Sequence, residues 1–144
     1  MTINEMFVGQ QASFAKTVTE TDVYLFAGIT GDLNPAHTNQ VASEKTMFKG
    51  RIAHGMLSAG FISTVLGMYM PGPGTIYMGQ ELKFTAPVRI GDTITATGKL
   101  KNYKGTYEFD AGCVLVATAA SEAPAPVAPE DPRQIVAEAF ALKE

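Results

Sequence analysis

The sequence predicts an α+β fold in which an antiparallel sheet covers one strongly apolar helix. Residues 54–70 place apolar side chains on every side of a helical wheel, which is typical of a helix buried inside a domain. After residue 74 apolar and polar residues alternate, and this period of two predicts β-strands. No charged residue lies between Arg51 and Glu81. Because a sheet needs a cover for its apolar face, the uncharged helix is the expected cover.

The other elements follow from local signals. Thr19 and Asp22 fit the Ser/Thr-x-x-Asp/Glu pattern that begins a helix. Pro35 disfavours helix at Asn34 and therefore predicts a loop there. In chain order we expect a strand over 11–19, a helix from Thr19 that ends within 28–31, a loop over 31–37, a helical turn over 39–46, strands over 75–85, 93–101 and 106–118, turns at 91–92 and 102–105, a proline-rich loop over 119–133, and a tail over 134–143. The composition of the tail fits either a helix or a strand.

The alternation also predicts which side chains share a face of the sheet. In 75–85 one set is apolar and consists of Ile76, Met78, Leu82 and Phe84. In 106–118 every second residue is expected to point inward, namely Tyr107, Phe109, Ala111, Cys113 and Leu115.

Length and composition exclude several classes of protein. The 144 residues suit a single domain over 1–144. A net charge of −3 without a basic block argues against nucleic-acid binding. The apolar run 56–70 is shorter than the roughly 20 residues that a membrane span needs. Cys113 is the sole cysteine, which excludes an intramolecular disulfide and a cysteine-based zinc site. The first residues lack the pattern of a signal peptide, so a cytoplasmic location is expected.

Asp32 and His37 are the first candidates for chemistry. Asp32 is the only charged residue between positions 23 and 43, and His37 follows five residues later beyond Asn34 and Pro35. A carboxylate and an imidazole that converge in a loop can hold and deprotonate a water molecule near neutral pH. The alternative is that Asp32 caps a turn and His37 is a surface residue, and the spacing alone favours this alternative.

His54 and Gly55 stand at the head of the apolar helix. Backbone N–H groups at a helix start are unpaired and carry partial positive charge, so they suit a developing oxyanion. Gly55 has no side chain that would block a substrate carbonyl. The alternative, favoured for His54, is that Gly55 eases a turn and His54 makes a local hydrogen bond. Ser58 and Ser63 carry hydroxyls on the same helix, and one of them could reach Asp32.

Several motifs together resemble one protein family. The pattern Y-x5-TGD-x-NP-x-H-x5-S over residues 24–43 is similar to the hydratase signature of the MaoC-like (R)-specific enoyl-CoA hydratases. The runs HGML at 54–57 and GTIYMGQELKF at 74–84 resemble the same family in the same order. Ala36 departs from the larger aliphatic residue that is usual there, which affects local packing and not the chemistry.

The resemblance implies a hot-dog fold, in which the sheet wraps a long central helix at 54–70 and the tail 134–143 is the last strand. It implies a homodimer that shares an acyl-CoA site, with no cofactor and no metal. It also implies reversible syn hydration of a trans-2-enoyl-CoA to the (R)-3-hydroxyacyl-CoA. Carried over by position, Asp32 and His37 activate the water and move the proton, the Gly55 N–H polarises the thioester carbonyl, Asn34 supports the loop, and Ser63 hydrogen-bonds near the aspartate.

Two other functions remain open at this point. A hot-dog thioesterase usually has an acidic residue on or near the central helix, and residues 54–70 contain none. A non-catalytic module that binds acyl thioesters would not require both Asp32 and His37. The length of the acyl chain, and the choice between CoA and acyl-carrier protein, also stay open.

Overall fold

The computed structural model describes residues 5–103, 107–116 and 134–143. In chain order the elements are β1 (Gln11–Thr17), α1 (Glu20–Thr30), α2 (Pro35–Thr38), α3 (Gln40–Glu44), α4 (Gly55–Thr64) with a π-helical turn (Val65–Tyr69), β2 (Thr75–Lys83), β3 (Thr93–Tyr103), β4 (Tyr107–Val116) and β5 (Gln134–Lys143). The predicted loop over 119–133 and the end of the predicted turn at 102–105 lie outside the described residues. No helix in the described ranges is long and apolar enough to cross a membrane.

The five strands form one antiparallel sheet in the order β1-β3-β4-β5-β2. The tail is a strand: β5 pairs with β4 on one side and with β2 on the other. The order leaves β1 and β2 as the two edges of the sheet within the chain. The predicted α+β class with an antiparallel sheet is therefore confirmed, and the ambiguity of the tail is resolved in favour of a strand.

Helix α4 packs against the sheet and provides the centre of the core. Its inward residues, Phe61 and Ile62, and the following Val65 and Leu66 are buried. Gly98 on β3 permits this close approach, because a Cβ there would lie 3.3 Å from Cγ1 of Val65. The sheet contributes buried apolar side chains from β3 and β4, namely Ile94, Ala96, Leu100, Tyr107, Phe109, Ala111 and Cys113. The predicted inward set of 106–118 is confirmed for its members from Tyr107 to Cys113.

One face of α4 stays open within the chain. Met56 and Ser63 on the helix, and Met68 and Tyr69 on the π-helical turn, are exposed. The expectation that 54–70 is a helix is confirmed, with a change to π-helical geometry after Thr64. The sheet covers one side of this helix, so part of its apolar surface remains uncovered.

The start of α1 is fixed by the predicted capping signal. The Thr19 hydroxyl accepts a hydrogen bond from the Asp22 N–H, and the Asp22 carboxylate accepts one from the Thr19 N–H. Lys16 on β1 donates to the same carboxylate at 2.7 Å. Burial acts to raise the pKa of Asp22, but the hydrogen bonds from Lys16 and Thr19 outweigh it and lower the pKa. Helix α1 ends as predicted, at Gly31 in the left-handed region with φ of 76°.

Residues 35–38 form a short helix, so the prediction of a loop through residue 37 is wrong. Pro35 occupies the first helical position, where its missing N–H costs no hydrogen bond. Asn34 lies before it in a non-helical conformation and caps the helix through a bond from the Ala36 N–H to its Oδ1 at 3.0 Å. Asn34 is non-helical, as expected for a residue before proline, but this conformation marks the start of a helix and not a loop. Asn39 caps α3 in the same way, by accepting from Ala42.

Strand β2 departs from simple alternation. A β-bulge lies between Tyr77 and Gly79, and it shifts the pattern by one position. As a result Ile76 and Met78 are exposed while Leu82 packs against the core. The predicted strand is confirmed, but the prediction that its apolar residues share one face is wrong because of this bulge.

Candidate active site

Three side chains from separate elements meet at the head of α4. Asp32 follows the end of α1, His37 lies on α2, and His54 immediately precedes α4. A carboxylate oxygen of Asp32 and one ring nitrogen of each histidine all lie within 4.8 Å of one another. The predicted convergence of Asp32 and His37 therefore occurs, and His54 joins them.

Local hydrogen bonds set the position of Asp32. Its Oδ1 accepts from the Asn34 N–H at 3.2 Å, and the Asn34 side chain in turn caps α2. The chain thus leaves α1 through the left-handed Gly31 and enters α2 within four residues. The Asp32 side chain is 51% exposed, so its carboxylate faces open space beside the two imidazoles.

His37 is held from its far side. Its Nδ1 lies 2.8 Å from the Ile52 carbonyl oxygen, and since a carbonyl can only accept, Nδ1 carries the hydrogen. The Ile52 N–H donates back to the Ala36 carbonyl at 3.1 Å, so α2 and Ile52 are joined by two bonds. In the neutral ring this arrangement leaves Nε2 without a hydrogen and free to accept one.

His54 is buried and makes a long-range contact, in contrast to the local hydrogen bond expected from the sequence. Its side chain is 2% exposed, and its Nε2–H donates to the backbone carbonyl of Asp32 at 3.0 Å. The Nε2 atom also lies 3.9 Å from Oδ2 of Asp32. The favoured reading of a local hydrogen bond is wrong, since the partner lies 22 residues earlier in the chain. A usable signal was present, because a polar ring in a long uncharged stretch must find a partner when it is buried.

The His54 ring also packs on two other rings. Its centroid lies 3.8 Å from that of His37, with 33° between the planes. Phe26 of α1 lies on it at 4.9 Å with 46° between the planes. His54 therefore contacts the backbone of one candidate residue and the ring of the other.

Gly55 is the first residue of α4, as its predicted role requires. In the described part of the chain its N–H has no hydrogen-bond partner, which is typical of the first turn of a helix. A Cβ at this position would lie 2.9 Å from Cε1 of Phe84. The space beside the helix start is thus filled by an aromatic ring, and glycine is the residue that fits under it.

An apolar cavity of about 470 Å³ opens beside His37 and Gly55. It lies between the head of α4 and the segment that follows β2, and its lining contains no Asp, Glu, Lys or Arg. The apolar residues that line it include Met47, Phe48, Met56, Phe84, Pro87 and Val88.

The two serines of α4 show no hydrogen bond to this cluster in the described part of the chain. Ser63 is exposed and stands eight positions after Gly55, about 12 Å along the axis at 1.5 Å per residue. In the described part of the chain it makes no hydrogen bond to Asp32. The expected contact between Ser63 and the carboxylate is therefore not formed within a single chain. Ser58 is fully buried, and among the described residues its hydroxyl has no hydrogen-bond partner.

A divalent metal ion can bind carboxylate and imidazole side chains. In the described ranges one group of such side chains lies close enough together to hold an ion, namely Asp32, His37 and His54. The hydrogen on Nε2 of His54 already points to a backbone carbonyl, so this nitrogen has no lone pair for an ion. The arrangement fits proton transfer better than metal binding.

Comparison with known proteins assigns the family. Residues 5–123 match the MaoC-like domain. The chain is 67% identical over 89 residues to an (R)-specific enoyl-CoA hydratase of Rhodospirillum rubrum, a match that covers 62% of each chain. It is 41% identical over 96 residues to an (R)-specific enoyl-CoA hydratase of Aeromonas caviae, covering 67% of this chain and 72% of that protein.

Solved structures of (R)-hydratases have the same fold as this chain. An (R)-hydratase of Aeromonas caviae involved in PHA biosynthesis superposes with a TM-score of 0.83 at 28% identity, covering 97% of this chain and 98% of that one. An unliganded R-hydratase of Pseudomonas aeruginosa gives a TM-score of 0.82 at 34% identity, covering 97% and 83% of the two chains. The matched region spans less than two thirds of the Rhodospirillum rubrum relative. With its antiparallel sheet, its central helix and its TGD-x-NP-x-H signature, the chain belongs to the MaoC-like domain family and has the hot-dog fold.

Proposed function

We propose that this protein catalyses the reversible (R)-specific hydration of trans-2-enoyl-CoA to (R)-3-hydroxyacyl-CoA. The observation that carries the proposal is the proximity of Asp32 to His37, together with an uncharged cavity that is lined by both His37 and Gly55, whose N–H is free among the described residues. Relatives that this chain matches at 67%, 48% and 41% identity bear the names of (R)-specific enoyl-CoA hydratases and 3-hydroxybutyryl-CoA dehydratase.

The chemistry needs one base, one acid and one oxyanion donor. Asp32 and Nε2 of His37 hold a water molecule and remove a proton as its oxygen bonds to C3. The electrons of the C2–C3 double bond move toward C1, and the thioester oxygen takes up negative charge as an enolate. The Gly55 N–H stabilises that charge, and a donor of this kind is typically worth about 100–1,000-fold in rate. The enolate then collapses as C2 takes up a proton.

The arrangement of these groups accounts for syn addition. The acting atoms of Asp32 and His37 lie within 4.8 Å of one another, so a water oxygen and a proton delivered by this pair would reach the same face of the substrate. Water is the only co-reactant, and the atoms of one water molecule appear in full in the product. We propose that the reaction uses no metal and no cofactor, because side chains and one backbone N–H supply every role.

We assign the apolar cavity to the acyl part of the substrate. Its volume lies within the roughly 300–1,000 Å³ that is usual for small-molecule sites. A charged group would be costly to bury among Met47, Phe48 and Val88, so an unbranched or lightly branched hydrocarbon chain is the expected occupant.

We also propose that the chain functions as a homodimer. Strand β2 is an edge of the sheet, and its exposed side chains include Ile76 and Met78. Pairing of two β2 edges would extend the sheet and cover these side chains together with the open face of α4. Sedimentation equilibrium is expected to give twice the chain mass, and Met78→Lys is expected to shift the protein to monomer. A monomeric wild-type protein would contradict this part of the proposal.

Hydration of crotonyl-CoA, followed by loss of the absorbance of the conjugated thioester, tests the main proposal. Asp32→Asn and His37→Gln are each expected to lower kcat by about 100–10,000-fold, the usual contribution of general acid–base catalysis. Asp110→Asn is the matched control, since this exposed carboxylate on β4 pairs with Lys101 away from the site. Near-normal activity in both site variants would refute the proposed mechanism.

Two further measurements separate the alternatives. A thioesterase would release free thiol from acyl-CoA without hydrating the double bond, but α4 lacks the acidic residue expected for that reaction. A binding module would show acyl-CoA binding by calorimetry and no turnover on any enoyl chain length. The proximity of Asp32 to His37 favours the hydratase over both.

A further inference from the structure

We infer that His54 is a positioning residue that couples the water-activating pair to the oxyanion donor. This role goes beyond the proposed function and rests on it for its kinetic consequences. Asp32, His37 and Gly55 come from different elements, and His54 contacts or adjoins all three. Among the described residues, the structure shows this set of contacts for His54: a bond to the Asp32 backbone, packing on the His37 ring, and the peptide bond to Gly55.

The first contact fixes the backbone of Asp32. The loop that carries Asp32 is exposed, and its own hydrogen bonds are short-range, including those from the Asn34 N–H to Asp32 Oδ1 and from the Thr38 hydroxyl to the Leu33 carbonyl. The bond from the His54 Nε2–H to the Asp32 carbonyl is a long-range bond that attaches Asp32 itself to the buried start of α4. Without it, the position of the carboxylate relative to α4 would depend on short-range bonds and on the two bonds that join α2 to Ile52.

The second contact supports the ring of His37. The bond from Nδ1 to the Ile52 carbonyl fixes one atom of that ring but leaves it free to pivot about the bond. Stacking on His54 at 3.8 Å limits this rotation and sets the direction in which Nε2 points. Phe26 packs on His54 at 4.9 Å and holds the supporting ring in place.

The third link is covalent. His54 is the N-cap residue of α4, and the peptide bond after it carries the Gly55 N–H. Its side chain makes no capping hydrogen bond to the helix, so the ring is committed to Asp32 and His37. A displacement of His54 would therefore move the base, the acid and the oxyanion donor relative to each other. A misplacement of about 1 Å in such a constellation can lower a rate by about 100-fold.

Three substitutions separate the two side-chain contacts. His54→Gln keeps an amide donor in reach of the Asp32 carbonyl but removes the ring, His54→Phe keeps the ring but removes the donor, and His54→Leu removes both. We expect kcat for crotonyl-CoA to fall by about 10-fold in the first two and about 100-fold in the third, with KM changed by less than threefold. Ser58→Ala is the control, because Ser58 is as buried as His54, lies in the first turn of α4, and is given no part in the proposed mechanism.

A second measurement does not depend on turnover. The chain has two histidines, so ¹⁵N spectra of the imidazoles in a His54 variant report on His37 alone. We expect the wild-type signals of His37 to show one tautomer with hydrogen on Nδ1, and those of His54→Leu to shift toward the tautomer average of a free imidazole. A purely structural role for His54 would leave the His37 signals unchanged in the folded variants.

The two readouts distinguish failure of this inference from failure of the proposed function. If the wild-type protein hydrates no enoyl thioester, the proposed function fails, and the His37 spectra still decide the role of His54. If folded variants keep kcat within twofold of wild type and unchanged His37 signals, the inference is overturned. If His54→Leu does not fold, His54→Gln and His54→Phe provide the same decision.

Discussion

The segment that carries the candidate site and the sheet beside it are held together by different forces. Between Gly31 and Gly55 four residues are buried, namely Ser43, Gly50, Ala53 and His54, and side-chain caps and single long-range hydrogen bonds provide much of the order. In β3 and β4 every second side chain is buried and apolar, from Ile94 to Cys113. The difference implies that stability resides mainly in the sheet and α4, while the geometry of the site depends on a few polar contacts.

A substitution in the sheet should therefore lower stability and spare the chemistry. Phe109 is 1% exposed and is among the largest fully buried side chains. Phe109→Ala is expected to lower the free energy of unfolding by about 3–5 kcal/mol, the usual cost of removing a buried aromatic ring. Urea denaturation measures the change, and kcat per folded molecule should stay within twofold of wild type. A large loss of kcat at full folding would show that the two regions are coupled more strongly than their contacts indicate.

A substitution at the head of α4 should have the opposite effect. Gly55→Ala places a Cβ 2.9 Å from the Phe84 ring, so either the ring or the helix start must move. We expect crotonyl-CoA hydration to fall by about 100-fold, with little change in the melting temperature. Phe84→Ala in the same chain removes the clash and is expected to restore part of the lost activity. Equal loss in the single and double variants would show that the contact with Phe84 is not the cause.

The cap of α1 offers a smaller test on the stability side of the comparison. Thr19→Ala removes the hydroxyl that accepts from the Asp22 N–H, and it should cost about 0.5–2 kcal/mol. Thermal unfolding measures the loss, while hydration kinetics should be unchanged because the cap lies at the far end of α1 from Asp32. Lower kcat in the folded variant would contradict this separation.

The smallest effect concerns the charge of Asp22. The pKa of this carboxyl is lower in the folded chain than its ordinary value of 3.8, so its ionised form stabilises the fold at neutral pH. The contribution is present above pH 3.8 and is lost as the pH falls through the lower folded pKa. Asp22→Asn is expected to be less stable than wild type at pH 6, and the difference should narrow below about pH 4 in urea titrations. A difference that does not vary with pH would exclude this cause.

The sequence was most informative where one pattern determines one structure. Apolar residues on every side of the helical wheel predicted α4, the period of two predicted β2, β3 and β4, and the Thr19–Asp22 signal predicted the start of α1. The bulge at Tyr77–Gly79 had a sign in Gly79, because an isolated glycine in a strand pattern suggests a bulge, but the period of two alone does not reveal it. Likewise, Pro35 marks either a loop or a helix start, and only the conformation of Asn34 decides between them.

The candidate site was predictable in part. Asp32 and His37 stood out because the surrounding sequence is nearly free of charge, and the structure brings them together. The uncharged stretch around His54 indicated that its ring needs a partner, but the partner itself was not predictable, because a backbone carbonyl 22 residues away carries no sequence signal. The apolar cavity and the ring over Gly55 depend on side-chain directions after β2, which periodicity does not give.

The edge strand β2 has a consequence for how the protein must be handled. An open strand edge with exposed Ile76 and Met78 is a template for pairing with any other extended chain. In the proposed homodimer a second copy covers this edge, so a folded chain that has not yet paired carries a risk of aggregation there. Slow expression, which keeps the concentration of unpaired chains low, is expected to raise the soluble yield.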